Sequence, residues 1–281
     1  MPLNENQSFL KWAGGKRRLV HRLLEFLPPD VRSRYYHEPF LGAGSMFLAI
    51  RPTRARLTDL NADLINTFRF VRDSPDLVHR YLQEHLRRDS RDHYYEVRAR
   101  YNAANRSTAA QAARFIYMNR ACFNGVFRVS RKGHFNVPYG RHAKTHVPTR
   151  THLTNVSDAL SKAHLHAASY EQALRRVRKG HFVYLDPPYP PLNGTSFFRH
   201  YTRDRFDNDD QRKLFDRFLE LDARRCLVMM SNADTSSIRD LYRNFHIADL
   251  PTTRWISCKN TKHAVSELVI TNYPLGWSRT K

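Results

Sequence analysis

The run Asp186-Pro187-Pro188-Tyr189 combines an acceptor carboxylate, two rigid prolines and an aromatic ring. It directly follows the apolar residues 182–185, so it falls at the carboxyl end of an expected strand, where ligands of doubly wound sheets bind. The prolines fix the backbone, so the Asp186 carboxylate and the Pro187 carbonyl can hold one exocyclic amine while the Tyr189 ring stacks on a base. Such hydrogen bonds favour a tetrahedral nitrogen that attacks a sulfonium methyl group. The alternative is a Pro-Pro turn that only ends a strand.

A glycine turn and an acidic residue form a second candidate site. Residues 38–45 predict a strand, a turn at Gly42-Ala43-Gly44 and a helix start, and the glycines let the backbone approach a ligand closely. Asp59 lies roughly twenty residues further on, at the end of the next strand, where an acid binds ribose hydroxyls in nucleoside-binding sheets. The alternative is a tight packing turn followed by a helix cap near Asn61.

The segment 9–16 places Trp12 and two glycines between Lys11 and Lys16. Trp12 is positioned to pack on a cofactor, and Lys16, at the first turn of a helix, is positioned to meet the carboxylate of that cofactor. The alternative is a surface helix anchored by its one tryptophan.

Composition indicates a polyanionic partner. Lys and Arg outnumber Asp and Glu by 47 to 26 in 281 residues, which gives a formal charge of +21. Nucleic acid is the expected partner, with a basic surface kept for solubility or a membrane surface as alternatives. No apolar run approaches the about 20 residues that a membrane-spanning helix needs, and the first residues lack the order of a secretory signal, so we expect an intracellular protein.

Cysteine and histidine give no metal-ligand spacing. Cys122, Cys226 and Cys258 are odd in number and far apart, which predicts free thiols with neither a disulfide nor a structural zinc ion. His142, His146 and His152 lie among Arg and Lys, and we interpret them as part of a basic nucleic-acid face rather than a metal site.

The order of the elements predicts an α/β sheet interrupted by a helical insert. Residues 62–120 have helical periodicity only, and 170–179 are expected to form a helix capped by Gly180. The predicted strands are 35–40, 55–57, 165–167, 182–185, 227–230 and 268–271. The corresponding domains are a catalytic core in two parts, 1–61 and 150–281, and an insert, 62–149.

The insert ends in an expected hairpin over 123–140. Phe127 and Val129 precede the turn 130–133, and Phe135 and Val137 follow it. Arginines interleaved with phenylalanines suit phosphate clamping and base stacking. The alternative is a solvated basic hairpin whose phenylalanines pack on the insert.

Taken in this order, the segments resemble the Dam-type family of DNA adenine-N6 methyltransferases. The resemblance spans nearly the whole chain and rests on Phe9 to Lys16, Glu38 to Gly44, Thr58 to Asn61, Asn119-Arg120, Phe123 to Gly125, Phe135 to Pro138, Asp186 to Tyr189, Glu267 and Thr271 to Tyr273. The chain departs from the family at Phe123 and His142, where tyrosines are usual.

The resemblance implies a Rossmann-like, seven-stranded methyltransferase core with an inserted, mostly helical target-recognition domain that carries the β-hairpin. It implies double-stranded DNA as partner, S-adenosylmethionine as cofactor, no metal, no required protein partner and a cytoplasmic, DNA-associated location. Asp186, Pro187, Pro188 and Tyr189 would be catalytic. The cofactor-binding residues would be Trp12, Lys16, Phe40, Gly42, Asp59, Ser169, Tyr170 and Asp186. The DNA-binding residues would be Lys11, Phe123, Asn124, Arg128 and Pro138.

In the Dam group that recognises GATC, residues matching Lys11, Asn124, Arg128 and Pro138 approach bases or phosphates, so we expect GATC as the target. An Arg can read guanine bidentately in the major groove, and Arg128 is the candidate. The alternatives are a methyltransferase that acts on cytosine N4 or on RNA, and a catalytically silent basic DNA-binding protein.

Overall fold

The computed structural model describes residues 8–12, 14–16, 19–104, 107–141, 144–189, 206–256 and 261–276. It contains a seven-stranded sheet in the order β3-β2-β1-β4-β5-β7-β6. The strands are β1 (Tyr35–Glu38), β2 (Arg54–Asp59), β3 (Ala163–Ala167), β4 (Phe182–Leu185), β5 (Leu227–Ala233), β6 (His246–Ile256) and β7 (Thr261–Thr271). Neighbours among the first five strands are parallel, whereas β7 is antiparallel to both β5 and β6. The predicted α/β class and the seven strands are confirmed.

The described helices are α1 (Val20–Leu23), α2 (Ser45–Ile50), α3 (Ala62–Asp73), α4 (Pro75–Arg87), α5 (Arg91–Ala103), α6 (Ala109–Ala121), α7 (Arg150–Leu160), α8 (Tyr170–Leu174), α9 (Asn208–Ala223) and α10 (Ser236–Leu241). Side-chain oxygens of Asn61, Ser90 and Thr108 cap α3, α5 and α6. The helical character predicted for 62–120 is therefore confirmed, with the breaks between helices at these caps and at Pro75.

Two predicted helices are shorter in the structure. The helix expected to begin near Lys16 has, among the described residues, α1 as its only α-helical part, followed by a 3₁₀ turn over Leu24–Phe26. The helix expected over 170–179 ends at Leu174, and tighter i to i−3 bonds at Arg176 and Val177 follow it. Gly180 has a φ of +80° but lies beyond these turns, so it is not the helix cap that was predicted.

The sheet separates two buried clusters. On one face, Tyr36, Leu57 and Leu165 pack with α3 to α7. On the other face, Val183 and Met230 pack with α9 and α10. Successive strand residues point to opposite faces, so one strand supplies both clusters.

The first helix of the expected insert is bound to the sheet. Arg69 Nη2 of α3 donates to the Leu165 carbonyl at 2.7 Å, and Arg72 Nη1 donates to the Ala163 carbonyl at 3.0 Å. The division into 1–61, 62–149 and 150–281 stays a prediction.

Within the described residues, no helix is long and apolar enough to cross a membrane. Cys122 and Cys226 are buried free thiols, and Cys258 lies outside the described part. His152 is also buried, with 1% of its surface exposed, so its assignment to a basic surface was wrong. It lies on the inner side of α7 beside Leu153 and Val156. His142 lies outside the described residues.

Candidate active site

Three neighbouring strands bring the predicted site residues to one edge of the sheet. Asp59 ends β2, Gly42 follows β1, and Asp186 follows β4. These strands are parallel and adjacent in the order β2-β1-β4, so their carboxyl ends lie together. This is the edge where doubly wound sheets bind ligands.

Asp186 is held through one of its two oxygens. Lys16 Nζ lies 2.6 Å from Oδ1, and Ser231 Oγ donates to the same atom at 2.8 Å. The Tyr184 hydroxyl is 2.8 Å from Ser231 Oγ and fixes that side chain in turn. Neither Lys16 nor Ser231 binds the other oxygen, Oδ2, and 18% of the Asp186 side chain is exposed. The Asp186 carboxylate is therefore held in place through Oδ1.

Lys16 lies between two carboxylates. Its ammonium is 3.8 Å from Glu267 Oε2 and 4.6 Å from the centre of the Tyr189 ring, and the side chain is 4% exposed. The Tyr189 hydroxyl donates to Glu267 Oε2 at 2.8 Å. Glu267 thus couples the Tyr189 ring to the buried ammonium of Lys16. Sequence reasoning gave it no role, although a lone acid beside the apolar run 268–270 was a usable signal.

Burial dominates the electrostatics of this edge. It raises the pKa of Asp186 above its usual range, against the lowering effects of Lys16 and Ser231. It also raises the pKa of Asp59. Glu38, at the end of β1, is 3% exposed, and burial raises the pKa of its carboxyl to about 8. Glu38 therefore carries a proton at neutral pH.

Asp59 supports the glycine turn. Its Oδ2 accepts the Gly42 N–H at 2.9 Å, and its Oδ1 accepts the Asn61 N–H at 2.9 Å. Gly42 and Gly44 have φ values of +48° and +66°, which favour glycine. A Cβ at Gly42 would also lie 2.9 Å from Cδ1 of Trp12, so the indole itself requires glycine here. Asn61, and not Asp59, caps α3.

An aromatic group lies beside this turn. The Phe40 and Tyr170 rings stack at 5.2 Å, and Phe206 meets both edge-on at 6.1 Å. The side chain of Ser169 begins α8 by accepting the Gln172 N–H. Phe206, to which the sequence gave no role, is therefore a member of this group.

Trp12 joins the segment 9–16 to the hairpin loop, which we define as residues 122–140. Its indole stacks on Phe127 at 5.6 Å and on Phe115 at 6.2 Å. Its predicted contact with a cofactor stays a prediction.

The chain reverses direction in the hairpin loop as expected, but its two arms, before and after the turn at 130–133, do not form a continuous strand pair. They pair through two isolated antiparallel bridges, Cys122 with Tyr139 and Val129 with Phe135. Asn102 clamps one arm by donating to the Phe135 carbonyl at 3.0 Å and accepting its N–H at 2.8 Å. The arms are held by the insert instead of by a long ladder.

The phenylalanines of this loop divide into buried and exposed positions. Phe127 and Phe135 are 5% and 2% exposed, so assigning them to base stacking was wrong; they pack in the core. Phe123 is 51% exposed. Apolar residues at every second position, Phe127 and Val129 in one arm and Phe135 and Val137 in the other, are the pattern of a buried face.

The remaining candidate DNA contacts lie near one another along this loop. Asn119 accepts the Lys11 N–H at 2.8 Å and donates to the Lys11 carbonyl at 2.7 Å. The Pro138 carbonyl accepts the Phe123 N–H at 2.9 Å. Exposed Asn124 has a φ of +55° and lies next to Gly125, whose added Cβ would be 2.5 Å from Cδ of Lys11. Close contact thus ties Lys11 to the loop.

Arg128 is exposed on the same loop and oriented by a neighbour. Its Nε donates to Asn136 Oδ1 at 2.8 Å.

Burial is the main cause that lowers the pKa of Lys11, followed by the charge of Arg120. The described residues contain no group of three or more His, Cys, Asp or Glu side chains that would hold a metal ion.

Comparison with known proteins agrees with this geometry. Residues 12–256 match the model of the D12 class N6 adenine-specific DNA methyltransferases. The chain is 35% identical to Type II methyltransferase M1.LlaDCHI of Lactococcus lactis subsp. cremoris, over 94% of this chain and 95% of that protein. It is 34% identical to a DNA adenine methylase of Vibrio cholerae (95% and 96% covered) and 32% identical to that of Escherichia coli K12 (95% of each). The chain belongs to the D12 class of adenine-specific DNA methyltransferases, a family that uses S-adenosylmethionine.

Proposed function

We propose that this enzyme methylates N6 of an adenine flipped out of duplex DNA, within the sequence GATC, at the loop 186–189. The observation that carries the proposal is the one-sided anchoring of Asp186. Lys16 and Ser231 both bind Oδ1, and neither of them binds Oδ2. Flipping is required because N6 lies inside the base stack.

The catalytic loop supplies acceptors and a ring in a fixed arrangement. Asp186 Oδ2 and the Pro187 carbonyl accept the two N6 hydrogens, so the nitrogen becomes more tetrahedral and its lone pair, no longer delocalised into the ring, becomes nucleophilic. The Tyr189 ring, held through Glu267, offers a stacking surface for the base. The proton released on transfer needs no strong base, because the methylated amine is acidic while it is cationic.

The residues at this edge fit S-adenosylmethionine. When bound, this cofactor supplies a methyl group activated by a sulfonium centre. Asp59 would accept ribose hydroxyls, and the Gly42 turn would allow close approach of the backbone. Lys16, with Trp12 beside it, would hold the carboxylate end. The stacked rings of Phe40 and Tyr170, with the neighbouring Ser169, would contact the adenine end of the cofactor.

The insert, residues 62–149, would recognise the target. Arg128 is exposed and oriented by Asn136, which suits a guanidinium that reads guanine bidentately. Exposed Phe123 would fill the space of the flipped base, and Lys11, Asn124 and Pro138 would contact neighbouring bases or phosphates. The relatives named DNA adenine methylase support adenine in DNA as the base that is methylated.

The test is to incubate the protein with labelled S-adenosylmethionine and unmethylated genomic DNA and to map N6-methyladenine by single-molecule sequencing. Methylation confined to GATC is the expected result. Methylation at another sequence would retain the chemistry and overturn the assignment of Arg128. Transfer to RNA alone, or to cytosine, would overturn the proposed substrate.

A further inference from the structure

A second basic region lies on the face of the sheet opposite to α3–α7. Leu57 and Leu165 are buried with those helices. Because side chains alternate along a strand, Arg56, His164 and His166 point to the other face. There the β4-β5-β7 half of the sheet is covered by α9 and α10, whereas the β3-β2-β1 half faces α8 and the turns after it.

Two adjoining clefts occupy that half, with volumes of about 330 and 410 Å³, and Arg56 and Arg176 line both. We call them together the Arg/His cleft and define it by Arg56, Arg175, Arg176, Arg178 and the histidines between them. Among the described residues, no Asp or Glu lines either cleft. Asp59, Ser169, Tyr170 and Asp186 do not line it either, but Thr58, Ala168 and Gln172 do, so the Arg/His cleft begins beside the candidate active site.

The arginines of the cleft are available to an external anion. Arg175, Arg176 and Arg178 are exposed. In the part of the chain that the structure describes, none of the four forms a salt bridge with a carboxylate. Arg56 Nη1 lies 2.8 Å from His166 Nε2, which orients its guanidinium along the sheet.

Three histidines, His37, His166 and His181, lie between the arginines of the cleft. His37 Nε2 lies 2.9 Å from His181 Nδ1, and the Tyr35 ring stacks on both imidazoles at 5.0 Å. Burial lowers the pKa of His37 to about 3 and also lowers the pKa values of His166 and His181. These three imidazoles are therefore neutral at neutral pH, whereas the guanidinium groups are charged and suit bidentate binding of phosphate.

We propose that the Arg/His cleft binds the phosphate backbone of a duplex DNA segment other than the one at the catalytic loop. The cleft crosses β3, β2 and β1 to the start of β4, strands about 4.8 Å apart, so it spans roughly 15 Å and admits more than one phosphate. DNA is the polyanion that an enzyme of this family already binds. This second contact, on a face of the sheet, keeps the enzyme on long DNA between turnovers.

The test uses a triple variant, Arg175→Gln with Arg176→Gln and Arg178→Gln. The matched control removes three exposed cations that do not line the cleft: Arg32→Gln, Lys162→Gln and Arg243→Gln. Both are compared with the unmodified enzyme on a short duplex of about two helical turns and on a duplex many times longer. Each duplex carries the methylation site found by mapping, so the test does not depend on that site being GATC.

The cleft variant should bind the long duplex at least about tenfold more weakly than the control variant does. Its slope of log K against log salt should fall by roughly two to three, at about 0.9 per phosphate contact. Its rate of methyl transfer to the short duplex should stay within about twofold of the unmodified rate. Equal binding of the long duplex by both variants would overturn the proposal.

Two other outcomes would also overturn it. If short-duplex transfer falls as much as long-duplex binding, the arginines serve the DNA at the catalytic loop. If DNA affinity is kept while binding of inorganic phosphate, measured by calorimetry, is lost, the cleft is a site for a small anion.

Discussion

Glu38→Gln should change how the stability of the protein depends on pH. Glu38 is 3% exposed and accepts bonds from the Tyr36 hydroxyl at 2.8 Å and the Phe47 N–H at 3.2 Å. Burial raises the pKa of its carboxyl from 4.5 to about 8. Glutamine keeps the shape and the acceptor oxygen but cannot ionise.

The sign follows from the raised pKa in the folded state. The folded protein holds the Glu38 proton more tightly than the unfolded chain does. The protonated carboxyl therefore makes its full contribution to the free energy of unfolding below about pH 4.5, and this contribution is lost as the pH rises through about 8. Relative to its value at low pH, the free energy of unfolding of the unmodified protein is reduced by about 1.4 kcal/mol at pH 5.5 and by about 4 kcal/mol at pH 7.5. The free energy of unfolding of the variant, relative to the unmodified protein, should therefore rise by about 2.5 kcal/mol between these two pH values.

Urea unfolding at both pH values measures this difference directly. Glu84→Gln, at an exposed position on α4, is the matched control and should leave the pH profile nearly parallel to that of the unmodified protein. A parallel profile for Glu38→Gln would refute the reasoning, because Glu38 would then be ionised in the folded protein.

Three further predictions concern the positioning of the site. Ser231→Ala removes the hydroxyl that holds Asp186 Oδ1, so kcat should fall about tenfold with KM for DNA unchanged in steady-state assays; a change in KM alone would contradict it. Gly125 has a φ of +63°, and an added Cβ there would meet Lys11, whereas Gly133 has a φ of +80° and open space around it. Gly125→Ala should therefore lower the free energy of unfolding by about 1 to 3 kcal/mol more than Gly133→Ala does. Equal losses in the two variants would contradict the contact with Lys11. Arg128→Gln should relax target choice in methylation mapping, whereas an unchanged sequence preference would exclude it as a reader.

Local pattern predicted the parts of the fold that are buried on both faces. The apolar runs of β4 and β5 and the turn after β1 were placed from sequence, because a central parallel strand has to be apolar. β6 was missed because it pairs only with β7 and includes Pro251, which an edge strand tolerates. The α7 helix was also missed, although Thr149 and the spacing of Leu153, Val156 and Leu160 indicated it.

The residues of the candidate site were named from the sequence, but the contacts between their side chains were not predicted. The pairing of Lys16 with Glu267 depends on the position of β7 beside β5, which spacing along the chain does not reveal. Ser231 likewise reaches Asp186 only because β4 and β5 are neighbours. Phe127 was misassigned because the type of a residue does not say which face it occupies.

The most direct test of the proposed mechanism is single-turnover methyl transfer by Asp186→Asn. The amide keeps an acceptor for Lys16 and Ser231 but directs an NH₂ donor at the adenine amine in place of Oδ2. Transfer should fall at least about 100-fold, while DNA affinity stays within about twofold of the unmodified enzyme. Thermal unfolding of the variant checks that the fold is intact. Transfer at the unmodified rate would contradict the account, because the carboxylate would then not be the acceptor that activates N6.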